Sequence, residues 1–477
     1  MNLKSDQKGI ALLVFVTVLI TAAAAVTVKA LNSNNSSQIA RDKITAAALA
    51  QAKDALIGYA ITYPDTHPTS PQVMGYLPCP DTAGTAEIGG EGGATGNCGT
   101  MNTNSIGRLP WKTLNITPLR GGDGECLWYA VAGTYKNNPK TGLMNWDTGG
   151  QLQVYAANGT SALTSTDNQA VAVIFAPGPV TPGQSRTGTA APMCGGNYTV
   201  SNYLDRSNCP GASCRDNTSA SGPFYTGPIL DSTGNPLLND RLAFITQQDI
   251  WNAIKRRQDF LGTLDTMTRR TAECIAKFGT TNNDPANKSM PWPAALALSD
   301  YTDNTRYNDV DGLLAGRVPY KVNTARGQTG NTIPSLYYLL KDDNPSGSAY
   351  CASGWGNVYP WWDNWKDHLF YAISERYRPS SSPTTACSSG HCVNVNSGGN
   401  YAAVVIFAGE RLASQIRTDK SIVSAYLEGR NAANVGSAHP NGHENYQSED
   451  ASSTFNDIVY CIREDLSVVK GTATGCP

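Results

Sequence analysis

The sequence predicts an α+β protein: a long hydrophobic N-terminal helix, then two tandem, internally duplicated modules, each a helix packed on an antiparallel sheet and stapled by disulfides. Three observations lead there. An apolar stretch begins at Ile10 and meets no charge before Lys29. Four short segments recur in the same order in the two halves of the chain. The 12 cysteines are spread over the chain from Cys79 onward, an even number that suits disulfides in an oxidising compartment.

Composition narrows the class. With 477 residues, 40% of them hydrophobic and 16% charged, the chain can bury a sizeable core and is neither collagen-like nor disordered. Its 36 Lys and Arg against 38 Asp and Glu give a net charge of −2. No basic run is long enough to follow a phosphate backbone, so nucleic acid is excluded as a partner. The 46 glycines and 27 prolines point to a surface built from turns.

Residues 1–9 (MNLKSDQKG) are polar and carry Lys4 and Lys8, and residues 10–30 are almost wholly apolar. About 20 apolar residues span a bilayer core, and the flanking lysines favour the cytoplasmic side. Ile39, Ile44, Ala48, Ala52, Leu56 and Ala60 continue the pattern at helical spacing, so one helix is expected over 10–63, stopped by Pro64. Three readings compete: an uncleaved anchor, a secretory signal cut near the alanines at 22–25, and a processed filament helix.

A short basic leader ending in Gly9, then an apolar half joined without a break to an amphipathic half, resembles the N-terminus of type IV prepilins and type II secretion pseudopilins. The resemblance covers the first ~50 residues, where an apolar helix can pack against like helices in a filament core. It implies cleavage between Gly9 and Ile10 by a prepilin peptidase, and methylation of the new terminus. It also implies a single-pass stay in the inner membrane with the C-terminal part periplasmic, followed by display outside the cell at a filament tip. Most of that family carries Glu at the fifth mature position, and here Val14 stands there. K-type pseudopilins and some minor pilins also lack the acid, which implies a tip or initiating subunit rather than a major pilin. Other pilins would be its partners, and a surface glycan or secreted substrate its ligand. The chain then divides into a leader (1–9), a pilin-type helix (10–60), a first pilin-like module (61–245) and a second (246–477).

The repeats set the module boundaries. Residues 107–111 (GRLPW) match 316–320 (GRVPY), 127–131 (LWYAV) match 369–373 (LFYAI), 170–176 (AVAVIFA) match 402–408 (AAVVIFA), and 238–245 match 455–462. The alanine, valine and isoleucine runs suit central buried strands, and short helices are expected around LWYAV and LFYAI. Thr246 and Asp249 open a second helix, continued by Ile250, Ile254, Leu261, Leu264, Ile275 and Phe278. Proline-bearing loops at 75–80 and 289–293 follow the two helices.

Candidate sites are few. Trp355, Tyr359, Trp361, Trp362 and Trp365 crowd together beside Asp363 and Asn364, a set that suits either a sugar-binding face or a cover for the second sheet. Asp300, Asp303, Asn304, Asp309 and Asp311, next to Gly312, offer oxygens for Ca2+, although the spacing is not that of an EF-hand and a solvated Asx-rich loop is the alternative. Cys209 with Cys214, and Cys387 with Cys392, each enclose four small or turn-forming residues and are candidate disulfides. No CxxC occurs to favour zinc. Of the 5 histidines, His439 and His443 sit in HPNGHE, whose Pro and Gly argue for a loop rather than the helix of HExxH. No nucleophile elbow or phosphate-binding loop is present. The expected function is therefore non-catalytic: a minor, tip-type pilin or pseudopilin of a type IV pilus or type II secretion-like filament that initiates assembly or mediates adhesion. The alternative is an anchored binding protein or carbohydrate-active enzyme.

Overall fold

The computed structural model describes residues 33–67, 72–83, 90–207, 215–230, 236–281, 288–322, 337–340, 351, 355–379, 387 and 390–477. Its first element is α1 (Ser33–Thr66). Ala48, Leu49, Ala52, Leu56, Ala60 and Tyr63 form its buried stripe, at the three- and four-residue steps that place side chains on one helix face. Among the described residues no helix is long and apolar enough to cross a membrane. Arg41, Asp42, Lys43, Lys53 and Asp54 punctuate α1 too densely for that. This overturns the expected long hydrophobic helix and, with it, the expected placement as a single-pass inner-membrane protein later displayed at a filament tip. Residues 10–32, with Gly9, Ile10 and Val14, lie outside the described residues.

Proline does not stop α1 where expected. Pro64 lies inside the helix, which runs on to Thr66. Proline cannot donate to the carbonyl four residues back. That carbonyl, on Ala60, instead accepts the Gly75 N–H at 3.0 Å from the following loop.

The first sheet has four antiparallel strands in the order β1 (Ser105–Arg108), β2 (Trp128–Val131), β3 (Ala170–Ala176) and β4 (Arg241–Thr246). Every residue of β3 is buried. The expected short helix at LWYAV is β2: Leu127 and Val131 have helical spacing, but a short apolar run buried on both faces reads the same either way. α1 lies across β3 and β4.

Thr246 then caps α2 (Gln247–Ile254) through a capping box with Asp249. The expected continuous second helix breaks at 255–259 and resumes as α3 (Phe260–Thr281). In the break, Arg257 donates to Ile61 O at 3.0 Å and pairs with Asp65 and Asp259. The second sheet is built from β5 (Ala315–Arg317), β6 (Leu369–Ile373), β7 (Val393–Val395), β8 (Gly398–Phe407), β9 (Asn445–Tyr446), β10 (Ile458–Arg463) and β11 (Val468–Lys470). β6 is again a strand where a short helix was expected. The antiparallel path β5-β6-β8-β10 repeats β1-β2-β3-β4, with β7, β9 and β11 added. α3 packs on β8, β10 and β11 as α1 packs on the first sheet.

The repetition extends to individual buried groups. Arg108 on β1 and Arg317 on β5 are 2% and 0% exposed, so each must find partners inside the protein. Arg108 stacks over Trp128 and Tyr203 and donates to the Gly195 and Asn197 carbonyls; Arg317 stacks over Phe370 and Tyr426 and donates to the Leu296 and Asp367 carbonyls. Tyr129 and Tyr371 each donate to a loop proline carbonyl, Pro78 and Pro291, at 3.2 Å. Disulfides join Cys79 to Cys98, Cys126 to Cys194, Cys274 to Cys351, Cys387 to Cys392 and Cys461 to Cys476. Cys209 and Cys214 lie outside the described residues.

Candidate ligand cleft between the two modules

The candidate site begins with a core. α4 (Tyr359–Trp365) presents Trp361, Trp362 and Trp365 inward, and Trp355, just before it, donates its indole N–H to Leu340 O at 2.8 Å. Trp365 meets Trp146 of the first module edge-on at 4.6 Å and Trp251 of α2 at 5.8 Å, while Trp361 packs on Phe260 of α3. These four tryptophans are thus buried, Trp365 against the first module, and do not form an exposed sugar-binding face. Large rings bury more apolar area than the rest of this polar, turn-rich segment, and that draws them inside.

Tyr359, by contrast, reaches a cavity. It is half-buried at a cleft of about 700 Å³ lined from the first module by Gln72, Tyr76 and Lys140, and from the second by Asn304, Tyr320 and Asp363. Tyr320 and Tyr359, on one wall, stack on the buried Trp362 behind them at 5.3 and 5.8 Å. Asn304 donates its amide to Asp363 Oδ1 at 2.7 Å and to the Tyr359 hydroxyl at 3.1 Å, and its Oδ1 has no hydrogen-bond partner. Lys366, buried behind Asp363, bonds the same Oδ1 at 3.0 Å. Burial pulls the Lys366 ammonium below its usual value, and Asp363 opposes that. On the opposite wall the Lys140 ammonium lies 5.0 Å from the Tyr63 ring and 5.1 Å from the Tyr76 ring, and donates to Gln72 Oε1.

The calcium candidates divide. Asp303 and Asn304 line the cleft; Asp300, Asp309 and Asp311 do not. Asp300 accepts the Thr302 hydroxyl and N–H at 2.7 and 2.8 Å, and Asp303 accepts those of Thr305 at the same distances. These bonds, hydroxyl first, hold both carboxyls below the usual range. Asp309 is buried in a backbone ladder with Ala294 and Lys321, and Asp311 is exposed. The four carboxylates form no common ligand group among the described residues, because Asx turns and ladder geometry turn them to separate tasks. The group of three His, Cys, Asp or Glu residues whose ligating atoms do converge is Glu375, His391 and His443, none of which lines the cleft.

Beneath the cleft the modules are joined by a buried polar cluster. His368 of the second module lies between Asp367 and the first module's Asp147, each 3.0 Å from one ring nitrogen. The Trp146 indole nitrogen and the Arg417 guanidinium also approach His368 Nε2, at 2.8 and 3.2 Å, while Nδ1 faces Asp367. Arg417 reaches Asp147 at 3.1 Å, Lys420 pairs with Asp367, and Asn145 donates to Asp367 at 3.0 Å. Asn364 closes the floor, accepting the Met144 N–H through Oδ1 and the Asn145 amide through its backbone carbonyl, both at 2.8 Å. Sequence reasoning missed Gln72, Tyr76, Lys140 and Tyr320, because only the fold brings these distant stretches to one cleft; Asp363 and Asn364 were visible as polar neighbours of the tryptophans.

No family model matches the chain, and neither a curated protein nor a solved structure matches it.

Proposed function

We propose that the chain is a non-catalytic filament subunit of the minor pilin or pseudopilin kind, whose two modules together carry a ligand cleft. The observation that supports this reading is α1. Its buried stripe packs on the first sheet, whereas Ile39 and Ile44 on its outer face are each 54% exposed. Such side chains are covered when like helices pack together, each recovering about 1 kcal/mol. Gly9, Ile10 and Val14 keep their proposed roles as cleavage site and register position.

The test is the mass of the mature chain together with cross-linking. Processing after Gly9 removes Lys4, Asp6 and Lys8 and takes the net charge from −2 to −3. Ile44→Cys should then cross-link to another filament subunit carrying cysteine in its helix. A mature chain that keeps its first nine residues, in cells that trim their other pilins, overturns the proposal.

A glycan is the ligand proposed for the cleft. Tyr359, half-buried at the cleft, offers ring surface to sugar C–H groups, and Asp363 offers a carboxylate to hydroxyls. Tyr359→Ala should abolish retention on a glycan array; retention equal to that of the unaltered chain would rule the cleft out.

A further inference from the structure

We propose that Glu375, His391 and His443 form a binding site for a divalent cation of the zinc class, with a further coordination position open to solvent. Their ligating atoms lie within 4.8 Å of one another. His391 Nδ1 is 2.7 Å from Glu375 Oε2, and the two imidazole rings lie 6.3 Å apart at 78°. Glu375 and His391 are half-buried, while His443 is exposed.

Three separate stretches bring these side chains together. Glu375 follows β6 in a short 3-10 turn, His391 sits in the loop closed by the Cys387–Cys392 disulfide, and His443 precedes β9. Backbone bonds hold the three in place: Glu375 N–H donates to Gly442 O at 3.0 Å, and Arg376 N–H to His391 O at 3.2 Å. Gly442 has φ +79°, and a Cβ there would lie 2.3 Å from the Glu375 nitrogen, so the approach of these loops requires glycine. Glu444, the acid next to His443 in sequence, is turned away to accept the Asn441 and Gly442 N–H groups. The acid that faces the imidazoles is Glu375, 68 positions upstream of His443.

Donor chemistry selects the ion. Calcium takes six to eight oxygens, which two imidazoles and one carboxylate do not supply. Zinc accepts that donor set at about 2.0–2.2 Å, which puts neighbouring ligand atoms roughly 3.3 Å apart. His391 and Glu375 already stand near that separation, and the exposed His443 closes the rest by side-chain rotation. Arg378, 3.9 Å from Glu375 Oε1, leaves Oε2 to the ion. The second module has this site alone, because the residue matching Glu375 in the aligned LWYAVAG and LFYAISE stretches is Gly133.

The test uses the untagged full chain, stripped of metal with a chelator and titrated calorimetrically with ZnCl2. One equivalent should bind, and His443→Ala and His391→Ala should each weaken binding at least tenfold, whereas His439→Ala should leave it unchanged. His443 is exposed, so His443→Ala should keep the metal-free circular-dichroism melt and remain informative if His391→Ala fails to fold. Absence of stoichiometric binding to the unaltered chain, affinity unchanged in His443→Ala, or equal loss in His439→Ala would each overturn the site.

Discussion

Gln184 of the first module and Gln415 of the second hold matching places, each donating its amide to a buried acid, Asp205 at 3.0 Å and Glu428 at 2.8 Å. Two residues on, Arg186 and Arg417 donate to Gly178 O and Gly409 O at 2.9 and 2.8 Å. Asn217 and Asn431 then bond a second buried acid, Asp240 and Asp457, at 3.1 and 2.9 Å. The modules part at the start of their second strand. The first places Cys126 there, in a disulfide with Cys194; the second places His368, which reaches into the first module. Arg186 likewise pairs within its own module, with Glu125 at 3.4 Å, whereas Arg417 crosses to Asp147. Buried polar wiring repeats because removing any one member strands its partner in a low-dielectric interior. Positions at the margin of that wiring were free to become a staple in one copy and a joint in the other.

The comparison breaks most decisively at the joint. Asp147→Ala strands Arg417, itself 3% exposed, and should cost about 3–5 kcal/mol. Urea unfolding should then split into two transitions, one per module; a single unchanged transition would show that the modules do not depend on this contact. Next come the strand glycines. A Cβ on Gly316 would lie 2.2 Å from Ala294 O, and one on Gly107 2.7 Å from Asp81 O. Gly316→Ala and Gly107→Ala should each cost about 1–3 kcal/mol, the former more, as read from denaturation midpoints.

Smaller effects come from the acids. Burial, then the neighbouring Asp205 or Glu428, pushes Asp240 and Asp457 well above the usual carboxylate range, and each has an Oδ1 without a partner, the atom that a retained proton would occupy. A folded pKa above the unfolded value gives stability that is present below about pH 4 and lost as pH rises through the folded pKa. Asp147 has the opposite sign: burial pushes it up, but His368 and Arg417 outweigh that and hold it below its usual range, so its contribution disappears as pH falls. Asp240→Asn and Asp457→Asn should therefore be near neutral or stabilising by about 1 kcal/mol at pH 7, and each should flatten the loss of stability above pH 4. A steep loss of stability at pH 7 would disprove that account. Least of all, Lys53→Ala removes a partly exposed pair with Asp249 at 3.0 Å and should shift stability by about 0.2–1 kcal/mol in a salt-dependent way.

The four repeated segments were legible because each is a short run that a sheet must bury. Their conformation was legible only for AVAVIFA and AAVVIFA, whose length and β-branched content suit strands; LWYAV and LFYAI have a helical spacing that five residues cannot distinguish from a buried strand. The break after Ile254 was hidden, since Leu261 and Leu264 continue the periodic pattern across it. QSR against QIR, and VSNYLD against VSAYLE, are short matches among many in a long chain and gain weight only once their side chains are seen in equivalent bonds. The cleft and the His-His-Glu group were not legible, because each draws on stretches that lie far apart along the chain. The tryptophans were legible as a cluster, but their burial depended on Trp146 and Phe260 arriving from elsewhere.

The ending of α1 has a mechanical consequence. At Ala60 the carbonyl released by Pro64 is tied to Gly75 in the first module, and one residue later Ile61 O is tied to Arg257 in the second. Traction applied along the rod is therefore divided at its base between both heads, and neither bears the whole load when the molecule is pulled from its stem.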